Sequence, residues 1–203
     1  MHTCAMSREG LTDLLQQIRA CRLCESQLPL GANPVLRANR HARLLVVGQA
    51  PGTRVHASGI PWNDSSGIRL RHWMGIEREQ FYNERRVAIV PMGFCYPGTG
   101  ASGDLPPRPE CSATWHGRLL PLLENVRLTL LIGHYAQAYF LQAERGKTLT
   151  DTVRQWQRYF PRFLVLPHPS PRNTLWIKKN PWFEEDVIPV LRRAVAETLE
   201  EDA

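Results

Sequence analysis

Four short aliphatic runs punctuate the chain: Arg86–Val90, Leu128–Ile132, Phe163–Leu166 and, first in order, Leu44–Val47. Each is rich in branched residues, and each stops at a glycine or proline cluster, which is the pattern of a strand buried on both faces of a parallel sheet. Between them the apolar spacing changes to a helical period. In residues 8–20, Leu11, Leu14, Leu15 and Ile18 share one face; Ser65–Gly75 reads as a short helix capped by Ser65 or Ser66. Further helices are predicted over Thr114–Leu123, Tyr135–Leu141, Thr150–Arg158 and Pro181 to about Leu199, the last kinked at Pro189. Strands alternating with helices predict an α/β fold: one three-layer αβα domain over residues 1–203 with a central four-stranded, mainly parallel sheet. In such a sheet the segments leaving the first, second and fourth strands reach the same edge, so Gln49–Gly67, the Cys95 loop and His168–Asn173 are expected to converge there.

Those segments carry the candidate chemistry. Gly48-Gln49-Ala50-Pro51-Gly52 allows close backbone approach to a ligand, and Gly59–Gly67 places Trp62 beside Asn63 and Asp64. Trp62 could stack on a flat ring or simply join the core. The stretch Tyr96–Pro109 has a Gly and Pro content that predicts no regular structure, and its bounding Cys95 and Cys111 favour order over disorder. Pro167-His168-Pro169-Ser170-Pro171-Arg172-Asn173 is a rigid, basic loop after a buried strand, suited to pressing on a nucleic-acid backbone or merely to ending the strand. Downstream, Lys178 and Lys179 lie between Trp176 and Trp182, a mixture that suits phosphates and bases or a core with a solvated lysine pair. His134 reads as structural, and His56 and Asp104 are loop residues with no spacing argument of their own.

A length of 203 residues with 43% hydrophobic content supplies one core. The net charge of +6, carried mostly by arginine, tilts the expected partner toward a polyanion. No apolar run is long enough for a bilayer, and Met1–Gly10 lacks a signal-peptide layout, so a cytoplasmic protein without membrane contact is expected. Five cysteines in a reducing compartment are not expected to form disulfides. Cys21-x2-Cys24 with Cys95-x15-Cys111 offers four thiolates to one metal site, leaving Cys4 over; spacing alone does not separate zinc from an iron–sulfur cluster.

In order along the chain, the Cys21/Cys24 pair, Gly48–Gly52, the Gly59–Leu70 motif, Cys95 and Cys111, Gly133–Ala136 and His168-Pro169-Ser170 resemble the uracil-DNA glycosylase superfamily, closest to its iron–sulfur-containing family four. The resemblance runs from about Leu11 to Glu184. It implies a structural [4Fe–4S] cluster on Cys21, Cys24, Cys95 and Cys111, and a monomer acting on uracil-containing DNA. It implies a flipped deoxyuridine contacted by Gln49, Ala50, Trp62, Asn63, Met92, Gly93 and His168, with His168 stabilising the departing base. Water would be positioned by Gln49, with Asp64 or His56 as charge partner, and DNA held by Pro169, Ser170, Pro171, Arg172, Asn173, Lys178 and Lys179. The chain departs from family four in three places: Gln49 replaces a glutamate, His56 an aspartate, and Pro91 a base-reading asparagine. Backbone groups of Met92 and Gly93, or the side chains of Asn63 and Asp64, would then read the base.

Three rival readings accompany this one: a glycosylase for another deaminated base such as hypoxanthine or xanthine, a non-catalytic protein recognising uracil or abasic DNA, and a zinc-stabilised hydrolase of small nucleotides.

Overall fold

The computed structural model describes residues 10–101 and 103–200. Arg8, Glu9 and Cys4 lie outside the described residues. The sheet strands are β1 (Leu44–Val47), β2 (Val87–Ile89), β5 (Leu128–Ile132) and β6 (Phe163–Leu166); β3 (Thr99–Gly100) and β4 (Gly103–Asp104) form a separate small hairpin. The sheet order is β2-β1-β5-β6, parallel throughout, with Leu44 opposite both Val87 and Leu128, and Thr129 opposite Phe163. The expected single α/β sandwich is therefore the observed one.

Strand alternation divides the interior into two cores. Leu44 and Val46 point with Leu130, Ile132, Leu164 and Leu166 toward the Ser65–Met74 helix and the Ile188–Glu200 helix. Leu45 and Val47 point with Leu131 and Val165 toward the Leu11–Arg19 helix, the helical stretch around Trp115 and Leu119, and the His134–Leu141 helix. The first helix follows its apolar stripe, burying Leu14, Leu15 and Ile18 and ending immediately before the first cysteine pair.

The differences from the sequence reading are local. The Ser65–Met74 helix is capped by Asp64, one residue earlier than the serines, because its Oδ1 accepts the Gly67 N–H at 2.8 Å. Short helices at Thr53–Ser58, Arg78–Phe81 and Thr174–Lys179 fall where the periodic signal is too brief to register. Helix begins at Pro109, well before Thr114, so Cys111 rides on a helical turn. Pro189 follows a π turn over Phe183–Val187; the widened backbone precedes the proline, which lacks an N–H for a regular turn. The segment expected to be irregular contains the β3–β4 hairpin, with Thr99 opposite Asp104 and Gly100 opposite Gly103.

Candidate active site

The turn after β1 and the segment before the Ser65–Met74 helix form one seat, and Trp62 occupies it. Trp62 has φ 57°, a left-handed conformation that costs a bulky residue about 1–3 kcal/mol unless its surroundings fix it. They do. A Cβ on Gly48 would lie 2.7 Å from the indole Cζ2, and a Cβ on Gly67 would collide with the Trp62 carbonyl oxygen, so both positions must be bare. That carbonyl accepts a hydrogen bond from the Arg71 guanidinium at 3.3 Å, and the Tyr82 hydroxyl donates to the neighbouring Pro61 carbonyl at 2.8 Å.

β6 ends directly before Pro167-His168. The His168 ring stacks on Trp62 with centroids 5.5 Å apart and planes 30° apart. Its Nδ1 accepts the Ser170 backbone N–H at 3.2 Å. An accepting Nδ1 is unprotonated, so the single proton of the neutral ring resides on Nε2. Burial pushes the imidazole below the ordinary value of 6.5, while the Asp64 and Asp104 charges pull it partly back. The loop itself is fixed from several sides: Asn173 donates to the His168 carbonyl at 2.8 Å, Arg69 donates to the Ser170 carbonyl at 3.1 Å, and Ser170 Oγ accepts the Arg172 N–H at 3.3 Å.

Between these walls lies a cavity of about 240 Å³. That is smaller than the roughly 300–1,000 Å³ of pockets for drug-sized ligands and suits a single small heterocycle. The convergence expected from the topology is met: Gln49, Ala50, Trp62, Asp64, His168, Ser170, Pro171 and Arg172 all line it. Pro91 lines it too, offering no side-chain hydrogen bond.

Several expected members do not. Asn63 is outside the lining and accepts a hydrogen bond from Arg78 at 3.2 Å. The Met92 and Gly93 N–H groups donate to the Gly48 and Gln49 carbonyls, each at 2.9 Å, so they extend the strand pairing and are spent before any base arrives. His56 sits in the Thr53–Ser58 helix with its ring edge toward Tyr96, away from the lining, which removes it as a partner of the attacking water. Pro169 and Asn173 lie behind the loop surface that faces the cavity, and Lys178 and Lys179 are exposed in the last turn of the Thr174–Lys179 helix. Gln49 lines the cavity, but its Nε2 donates to the Leu105 carbonyl at 3.1 Å, so the amide anchors the strand end to the hairpin.

Sequence reasoning passed over Asp104. β4 delivers this residue into the cavity. The usable signal was the pair of glycines, Gly100 and Gly103, flanking a two-residue tip, a hairpin pattern masked by the prolines downstream.

The four cysteines border a second, small cavity together with Leu23, Leu28, Ala32, Pro34, Phe94 and Arg108. None of them is in a disulfide. Burial, followed by the neighbouring thiols, pushes Cys111 up to about 11; Cys24 and Cys95 are raised as well, burial again leading. Crowded, raised thiols in an apolar cavity are the condition that bound metal relieves by taking them as thiolates. Among the described residues, no three His, Cys, Asp or Glu side chains are gathered for a single metal ion. Four cysteine sulfurs around one shared cavity are a donor set that fits either a zinc ion or an iron–sulfur cluster.

No helix among the described residues is long and apolar enough to cross a membrane. The family model of the uracil DNA glycosylase superfamily matches residues 37–192, a span that includes all four sheet strands, the Trp62 seat, the hairpin and the His168 loop. This chain therefore belongs to the uracil DNA glycosylase superfamily, enzymes that remove damaged bases from DNA.

Proposed function

We propose that the protein excises uracil from DNA as a monomer, hydrolysing the N-glycosidic bond to leave an abasic site, and that within the superfamily it stands closest to the iron–sulfur-containing family four. The observation that carries this reading is His168, its Nδ1 accepting the Ser170 N–H and its ring beside Trp62, in a cavity sized for one base. A target base cannot be reached inside the duplex, so the nucleotide must be flipped into that cavity. As the bond from C1′ to N1 breaks, its electron pair moves into the uracil ring and onto O2. His168 Nε2–H donates to that oxygen, and being fixed beforehand it needs no reorganisation when the charge appears. Trp62, locked by Gly48 and Gly67, bounds the base on its flat side.

The DNA-facing surface in this reading is formed by the exposed Pro171 and Arg172 with Ser170 and Asn173 beside them and by Lys178 and Lys179, while Pro169 is buried and drops out of the expected contacts. Leu175, 70% exposed at the start of the adjoining helix, is an apolar wedge suited to fill the gap that a flipped nucleotide leaves. Cys21, Cys24, Cys95 and Cys111 would hold the [4Fe–4S] cluster, which serves as a cross-link between the chain before β1 and the arm after β2. Zinc is the alternative occupant of the same four thiols.

A second reading is favoured by Pro91, which leaves one wall of the cavity without a base-reading side chain: another deaminated base could be the preferred one. Single-turnover incubation with oligonucleotides carrying uracil, hypoxanthine, xanthine or ethenocytosine, developed with alkali, separates the two. Uracil should be released fastest. Preferential release of a purine would move the assignment to the second reading, and binding without release would make the protein a recognition module.

A further inference from the structure

Hydrolysis needs a group to take the proton of the attacking water, and the motif after β1 supplies none: Gln49 is uncharged and its amide is committed to Leu105. Among the described residues, Asp64 and Asp104 are the carboxylates that line the cavity. Asp64 caps the Ser65–Met74 helix through Oδ1, so taking up a proton there would weaken that cap. Asp104 is differently placed. Its Oδ1 accepts from Thr99 Oγ1 at 3.3 Å, and that hydroxyl is itself 2.6 Å from the Tyr96 hydroxyl, a short polar chain that orients the carboxylate. Its Oδ2 lies 3.5 Å from the position a Cβ on Gly52 would take, and both residues line the cavity. The hairpin that carries it is pinned on one side by Gln49 to Leu105 and on the other by the Arg172 guanidinium packed on Gly103.

We propose that Asp104 is the catalytic base of this enzyme, brought in by the hairpin in place of a carboxylate on the β1 turn; this rests on the glycosylase reading above. Water oxygen bonds to C1′ as the C1′–N1 bond breaks. The bonding pair leaves with the base, whose charge His168 meets at O2, and one water proton passes to Asp104 Oδ2, from which it is lost to solvent or to the departing base.

The test is single-turnover excision by Asp104→Asn and Asp104→Ala, with affinity for the same DNA measured in parallel. Asp104→Asn should slow excision by about 10²–10⁴, the usual contribution of a positioned general base, with affinity unchanged within a few-fold. Added formate should restore part of the rate to Asp104→Ala and none to wild type. A rate within threefold of wild type for Asp104→Asn, or a rate loss matched by affinity loss and deaf to formate, would dismiss Asp104 while leaving the glycosylase reading in place. Wild-type protein inert on every base would overturn both.

Discussion

The base cavity and the cysteine cavity are built by opposite means. In the first, every functional group is held by a neighbour: His168 by Ser170, Trp62 by two bare glycines and Arg71, Asp104 by Thr99. In the second, four thiols share one small cavity, and burial raises three of them. The base cavity is preassembled, whereas under the cluster proposal the cysteine cavity is completed by its metal. The two share the arm from Cys95 to Cys111, which carries the β3–β4 hairpin and Asp104 between its ends. Damage should therefore travel from the cysteine cavity to the base cavity and not back.

The largest effect expected is that of Cys111→Ser. Wild-type protein purified without oxygen should be brown with about four irons per chain, and the variant should lose the colour, the order of the hairpin and all measurable excision. An iron-free variant with full activity would sever the two regions. His168→Ala probes the reverse direction: excision should fall by about 10²–10³, as when one preorganised donor is lost, while iron content stays at the wild-type level.

Gly67→Ala comes next. The added methyl meets the Trp62 carbonyl, which Arg71 and the strained backbone prevent from moving aside, so stability should drop by about 1–3 kcal/mol or more in denaturant unfolding. Gly117→Ala, where a Cβ would meet nothing, is the control.

Much of this was legible in the sequence because it depends on local pattern. Uninterrupted aliphatic runs such as Leu128–Ile132 announced the strands, and parallel topology alone brought Gln49, Trp62 and His168 to one edge. What was hidden depends on tertiary contact. That Gly48 and Gly67 exist to seat Trp62 is visible only once the indole is placed. Asp104 had only the Gly100 and Gly103 pair as a signal, since its place is set by pairing between Thr99 and Asp104 and by Gln49 in the turn after β1. Met92 and Gly93 looked available for a base because sequence does not reveal that their amides continue the ladder from β1.

Smaller effects sharpen the picture of a preassembled site. Burial holds both His168 and His116 below 6.5. Above that value neither state binds the protons, and stability is complete. As pH falls toward the folded values, the unfolded chain takes up protons that the folded one refuses, so stability declines. The urea midpoint should be lower near pH 5 than near pH 7.5, and His168→Asn should flatten part of that slope. Smallest is Arg172→Ala, which should weaken DNA binding about equally across sequences and reduce the salt slope by roughly one if one phosphate contact is lost; an unchanged slope would take Arg172 off the DNA surface and leave it as a clamp on Gly103.

The central claim is that a neutral His168, protonated on Nε2, faces the base. Nitrogen-15 NMR of the imidazole tests it most directly. The account predicts a protonated Nε2 and a bare Nδ1 at pH 7, persisting below pH 6.5. A proton on Nδ1, or an imidazolium already at pH 7, would contradict it.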